Sequence, residues 1–211
     1  MASSPPDFVY FDMGNVLLSF DHELAVQAVA RRTSLDPALI RHVIFGSGLE
    51  LQYERGELTT DEFHAEFCQW TNAAIDRDEL AFLCSDIFQP LVQVHALVEH
   101  LHRDGRRLGV LSNTCAAHWQ YVYPDRHAAL WDRFEAFALS FELKSLKPEP
   151  QIYQLAARLV GVAPDRILFI DDRPENVDAA RGQGFDAVLF TSAAQLSVDL
   201  RVRGLISSEN P

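Results

Sequence analysis

FVYFDMGNVLLSF, Phe8 to Phe20, decides how this 211-residue chain is read. It opens on an unbroken apolar run, Phe8–Phe11, of the kind that forms a strand covered on both faces. One carboxylate, Asp12, closes the run, and Met13, Gly14 and Asn15 then turn the chain. An open parallel sheet binds its ligands beyond the carboxyl ends of its strands, which is where this strand leaves Asp12. Working outward, Leu108–Leu111, Ile167–Ile170 and Ala187–Phe190 repeat the same continuous apolar character. Helical patterns lie between them. Ile152, Leu155, Ala156, Leu159 and Val160 recur at helix spacing, and Gly161 follows as a C-cap. Strand and helix in alternation predict an α/β fold around a parallel sheet.

The segment from Phe20 to about Pro90 breaks that rhythm, with helix patterns and no convincing strand. Thr59 and Glu62 have capping-box spacing, and Phe63, Phe67 and Trp70 then fall on one helical face. Asp36-Pro37 and Asp78-Glu79 open further helices. No linker composition flanks the segment, so it reads as an all-helical insertion after the first strand. Ala2 to Pro6 is expected to be disordered.

The composition, 48% hydrophobic and 23% charged, is enough to bury a sizeable core. A formal net charge of −12 argues against broad binding to nucleic acid or an anionic membrane, both of which need a basic face. It leaves room for one small anion in a locally positive pocket. Cys68, Cys84 and Cys115 have no metal-type spacing and read as reduced thiols. The start, MASSPPD, lacks the basic and apolar regions of a signal peptide, and no apolar run has the length of a membrane span. A cytoplasmic protein is expected.

Four elements bring polar groups to the expected ligand edge. The first strand gives Asp12, the second ends in Ser112-Asn113-Thr114, and the third ends in Asp171-Asp172. Between the last two lies LKSLKPEPQIY, with Lys147 just before a helix that Pro starts. Singly, each has an ordinary explanation as a cap, a solvated turn or a surface lysine. Jointly they suit phosphoryl transfer. Three clustered carboxylates repel one another and a phosphate dianion, so the site needs a cation, and oxygen ligands of this kind favour Mg²⁺. Lys147 and the Ser112 hydroxyl can hold phosphoryl oxygens, helped by backbone N–H groups after Thr114. Asp12 is left to attack phosphorus, giving an aspartyl-phosphate that water hydrolyses.

FDMGNVLL, VLSNT, KPEPQIY and FIDDRPENV, in this order, resemble the four motifs of the haloacid dehalogenase (HAD) superfamily. The resemblance covers residues 7–191 and implies a Rossmann-like core, residues 1–20 and 91–211, with a C1-type helical cap at 21–90. DMGNV, the YERGE run at Tyr53–Glu57, VLSNT and KPEPQIY further resemble the α-D-glucose-1-phosphate phosphatase branch. The implied roles are a nucleophile and Mg²⁺ ligand at Asp12, a backbone carbonyl for Mg²⁺ at Gly14, and phosphoryl binding by Ser112 and Lys147. Asp172 is implied to touch the metal directly, Asp171 directly or through water, and Asn113 to orient the phosphoryl oxygens or Asp12. A Gln52-Tyr53-Glu54 cap segment is the expected substrate contact. The implied substrate is a small phosphorylated metabolite, a sugar phosphate first, since a closing cap leaves little room for a macromolecule.

Gly14 departs from the pattern. Most phosphatases of the superfamily carry an aspartate there, which protonates the leaving alcohol and later activates water. General acid–base groups typically contribute ~10²–10⁴-fold, so a replacement is needed, or a leaving group that does without one. A sugar 1-phosphate leaves as an anomeric alkoxide and needs less protonation. Otherwise Asp21, His22, Glu50 or Glu54 would reach in from the insertion. Two further readings stay open. A 2-haloacid dehalogenase also lacks the second aspartate, but the Asp171-Asp172 pair favours phosphate over halide. A catalytically weak phospho-ligand or protein-binding module on the same fold is the other.

Overall fold

The computed structural model describes residues 4–207. Its centre is a five-stranded parallel sheet built from β1 (Phe8–Phe11), β4 (Arg107–Ser112), β5 (Ala136–Leu139), β6 (Ile167–Asp171) and β7 (Asp186–Leu189), in the order β5-β4-β1-β6-β7. β1 lies in the middle, with Phe11 paired to Val110 on one side and Ile170 on the other. Alternation along β1 sends Val9 and Phe11 into one apolar layer and Phe8 and Tyr10 into the other, which is why the strand is apolar throughout. Gly109 on β4 is required by that packing. A Cβ there would lie 2.6 Å from Tyr10 Cε1 and 2.8 Å from Phe8 Cε1.

Helices cover both faces. α6 (Val92–Arg103), α7 (Ala116–Val122), α8 (Ala128–Trp131) and α12 (Ala193–Val202) pack on the Val9 side. α10 (Pro150–Val160) and α11 (Pro174–Gly182) cover the Phe8 side, while α9 (Ser140–Leu143) follows β5 directly. Gly161 caps α10 with φ 66°, as its position in the sequence predicts.

The insertion contains α1 (His22–Thr33), α2 (Pro37–Arg41), a π-turn at His42–Gly46, α3 (Leu49–Glu54), α4 (Thr60–Thr71) and α5 (Arg77–Ser85). These helices gather around a separate apolar cluster, which also takes in Cys115 and Ala117 next to the sheet. Thr59 and Glu62 form the predicted capping box. Asp36 caps α2, but the cap of α5 is Asp76, two residues before the expected Asp78-Glu79, and its carboxylate accepts from both of their N–H groups. Trp70 does not share the buried face of α4. Phe63, Phe67 and Thr71 are buried at strict i, i+4 spacing, and Trp70 is 52% exposed.

The insertion is not purely helical at its ends. β2 (Leu18–Phe20) and β3 (Phe88–Pro90) pair antiparallel, so a short ribbon ties its first and last residues together. Ser4 and Pro5 are not loose either, since the Arg166 guanidinium donates to both of their carbonyls; Ala2 and Ser3 lie outside the described residues.

Candidate active site

The strand order makes β4 and β6 the two neighbours of β1, so their final residues meet at one edge. Asp12 follows β1 directly and stays in register, its N–H donating to Ile170 O at 2.8 Å. Lys147 enters from the loop between α9 and α10. Its ammonium donates to Asp171 Oδ2 at 2.7 Å and Leu111 O at 3.0 Å and pairs with Asp12 Oδ1 at 2.8 Å. The side chain is 1% exposed. Burial works against its charge, yet the Asp12 and Asp171 carboxylates outweigh this and hold the ammonium above its ordinary value. Burial pushes the Asp12 carboxyl up to about 7, against the pull of Lys147. A divalent cation beside Asp12 would favour its ionised form.

The acidic pair divides into two environments. Asp171 is fully buried and accepts from Lys147, from the Arg173 N–H at 2.8 Å and from Asn176 Nδ2 at 3.0 and 3.1 Å. Asp172 is half-buried and accepts from Asn15 Nδ2 at 3.2 Å. Carboxylate oxygens of Asp12, Asp171 and Asp172 all lie within 4.8 Å of one another. Hard oxygen donors at that spacing fit Mg²⁺, which keeps waters and takes one or two protein carboxylates. Asn15 and Asn176 are the residues sequence reasoning missed. Their signal was present in the motifs, Asn15 beside Gly14 and Asn176 in FIDDRPENV, five residues beyond Asp171.

Asn113 is engaged by Lys147 itself. Its Nδ2 donates to Lys147 O at 2.9 Å and its Oδ1 accepts from Lys147 N at 2.8 Å, so the amide clamps the lysine's backbone. Ser112 is buried, and its hydroxyl makes only a 3.1 Å bond to Asn113 O. Thr114 is buried with its Oγ1 unpartnered among the described residues.

A cavity of about 40 Å³ lies beside this edge, lined by Met13, Gly14, Asn113 and Thr114 from the sheet side and Glu54 from α3. Of the expected substrate segment, Glu54 alone reaches it. Gln52 is exposed, and the buried Tyr53 anchors α3, accepting from Ala117 N at 3.0 Å and stacking on Phe63 at 4.8 Å. Lys144 pins the same segment by donating to Gly56 O. Cys115 is buried, and desolvation pushes its thiol well above the ordinary range, which makes it unreactive.

Glu50 lines a second, apolar cavity with Ile44, Phe63 and Leu80. Desolvation, helped by Glu54, pushes its carboxyl from 4.5 up to about 8. The native state therefore holds a proton that the unfolded chain loses, and stability is full below about pH 4.5 and drains away as pH rises to about 8. Glu50→Gln removes that loss. In urea unfolding the variant should match the parent near pH 4.5 and exceed it near pH 8.5 by on the order of 2–4 kcal/mol. An equal difference at both pH values would contradict the burial of a neutral acid.

Residues 7–184 match the family model described as haloacid dehalogenase-like hydrolase. The D-ribitol-5-phosphate phosphatase of Bacteroides thetaiotaomicron is 24% identical over 203 residues, covering 92% of this chain and 96% of that protein. A phosphatase of Mycobacterium tuberculosis is 29% identical over 197 residues, covering 89% and 88%. A HAD family enzyme from B. thetaiotaomicron, crystallised with magnesium and inorganic phosphate, superposes with a TM-score of 0.77 at 25% identity, covering 88% of this chain and 94% of that one. The chain belongs to the haloacid dehalogenase-like hydrolases, and it is an enzyme of the phosphatase kind. No helix among the described residues is long and apolar enough to cross a membrane.

Proposed function

We propose that the protein is a Mg²⁺-dependent phosphatase that hydrolyses a small phosphomonoester, a sugar phosphate first, through a phosphorylated Asp12. The observation that carries this is the single buried ammonium of Lys147 held between Asp12 and Asp171, with Asp172 completing the acidic cluster. Asp12, the Gly14 carbonyl, Asp171 and Asp172 would hold the cation, which neutralises charge between carboxylates and phosphate. Asp12 Oδ1 is engaged by Met13 N and Lys147, which orients the carboxylate and leaves Oδ2 to attack phosphorus. Lys147 and Ser112 bind the phosphoryl oxygens, and Asn113 holds Lys147 in place. Residues 21–90 act as a cap that excludes bulk water.

A sugar 1-phosphate is the substrate that tolerates Gly14 best, for the leaving-group reason given above. The test is phosphate release with Mg²⁺ and with chelator, on matched sugar 1- and 6-phosphates and a phenolic phosphate. Release that depends on Mg²⁺ and is faster for the 1-phosphate is the expected result. Equal rates on the two sugar esters would remove the leaving-group preference, and release that persists in chelator would remove the metal. No turnover of any ester would leave a phospho-ligand binding module.

A further inference from the structure

Resting on the phosphatase reading, we propose that Glu54 is the general acid–base residue of this site, carried in by the insertion because position 14 has no room for one. The sheet side closes that position. A Cβ on Gly14 would lie 2.7 Å from Phe20 Cε1 and 3.3 Å from Cδ1. Phe20 belongs to the ribbon strand β2, and its ring packs against His22 at 4.9 Å and Phe88 at 6.0 Å. The space an acid at position 14 needs is held by an aromatic side chain with neighbours of its own.

Glu54 faces the gap from the other side. It lines the same cavity as Gly14 and is the one carboxylic acid among the described residues that do. Its placement is fixed through the backbone. The Ser140 hydroxyl donates to Glu54 O at 2.6 Å and accepts from Thr114 N at 2.9 Å, so one side chain joins the end of α3 to the Ser112-Asn113-Thr114 turn. Arg55 pairs with Glu149 next to the Lys147 loop. Thr114, whose Oγ1 is buried and unpartnered among the described residues, lines this cavity as well.

The other candidates are set aside by their position or by their charge. The Asp21 carboxylate caps α1 by accepting from Glu23 N. Glu50 lines the apolar cavity and not this one. His22 and His118 also line this cavity, but His22 stacks on Phe45 at 4.4 Å and burial lowers the proton affinity of both rings, that of His118 down to about 4. Neither imidazole holds a proton to donate near neutrality. Burial keeps the Glu54 carboxyl protonated up to about 7, against the opposing pull of Lys147 and Arg173. Glu50 on the same helix and Cys115 beside Thr114 face it too.

In the first step Asp12 Oδ2 forms a bond to phosphorus as the bond from phosphorus to the ester oxygen breaks. The proton of Glu54 goes to that oxygen, the alcohol leaves, and Glu54 becomes a carboxylate. In the second step Glu54 takes a proton from water as the water oxygen bonds phosphorus and the Asp12 acyl phosphate opens. Phosphate leaves, and Asp12 and protonated Glu54 are restored.

The experiment compares Glu54→Gln with the parent on an alkyl phosphate and on 4-nitrophenyl phosphate, whose phenolate leaves without a proton. Alkyl turnover is expected to fall ~10²–10⁴-fold and aryl phosphorylation of Asp12, read as a pre-steady-state burst, to change only a few-fold. The parent's fall in alkyl kcat above about pH 7 should vanish in the variant. Equal losses in alkyl turnover and in the aryl burst, or a raised KM with unchanged kcat, would overturn the assignment. Because glutamine resembles the neutral acid and the backbone anchors remain, the variant should keep the parent's melting temperature. A triple variant, Glu54→Gln with Phe20→Ala and Gly14→Asp, should regain at least tenfold of the alkyl rate, and no gain counts against the exchange. If the parent hydrolyses neither ester, the phosphatase reading falls with the proposal; if it hydrolyses both and Glu54→Gln matches it, only the proposal falls.

Discussion

Asp12→Asn should lower phosphate release by at least ~10⁴-fold on every ester while the protein stays folded. An amide oxygen cannot displace the leaving group and give a stable acyl phosphate. The fold survives because Lys147 keeps two of its three acceptors, Asp171 Oδ2 and Leu111 O. The substitution also removes a carboxylate whose desolvation is unfavourable, since burial already pushes Asp12 up to about 7. The check is steady-state phosphate release beside a thermal melt. Residual turnover within a hundredfold of the parent would mean that water attacks phosphorus directly and Asp12 only helps to hold the metal.

Lys147→Met should act on stability as well as rate. The lysine's methylenes are replaced at similar volume, but Asp12 and Asp171 are left buried, close together and without their shared counter-ion. Removing one member of a buried ionic cluster typically costs ~3–5 kcal/mol, most of it from the charge left unpaired. The sign with pH follows. Protonating the stranded carboxylates relieves the penalty, so the variant should approach the parent at low pH and fall furthest behind above neutrality. Mg²⁺ offers the same relief through mass action, so millimolar metal should recover part of the lost stability without recovering turnover. Urea unfolding at pH 5 and pH 8, each with and without Mg²⁺, reads all of this. A loss that is the same under all four conditions would point to packing and not to charge.

Much of the sheet was legible because buried parallel strands leave an unmistakable trace, and β1, β4, β6 and β7 were found to within a residue or two. β5 was missed. AFAL is short, lies at the sheet edge, and starts on two half-buried positions, so nothing in it stands out from the apolar residues around it. The β2–β3 ribbon was missed for a related reason: three residues paired across most of the insertion carry no local period. Trp70 was assigned to the face of Phe63 and Phe67 on helical spacing, one position away from the stripe that Thr71 completes. Around the candidate site, residue types announced the chemistry but not the wiring. That Asn113 grips the Lys147 backbone, or that Ser140 bonds Glu54, depends on loops meeting from distant parts of the chain.

The Ser140 hydroxyl has a consequence for timing. It joins the insertion to the sheet at the residue that would pass the proton, so the proton donor arrives only when the two halves come together. Enclosure and chemistry then become one event. An enzyme caught apart with a phosphorylated aspartate would lack the base that activates water, and the acyl phosphate would outlive each opening until the halves met again. The rate at which the halves meet would set the clock for both steps, whatever alcohol the first one released.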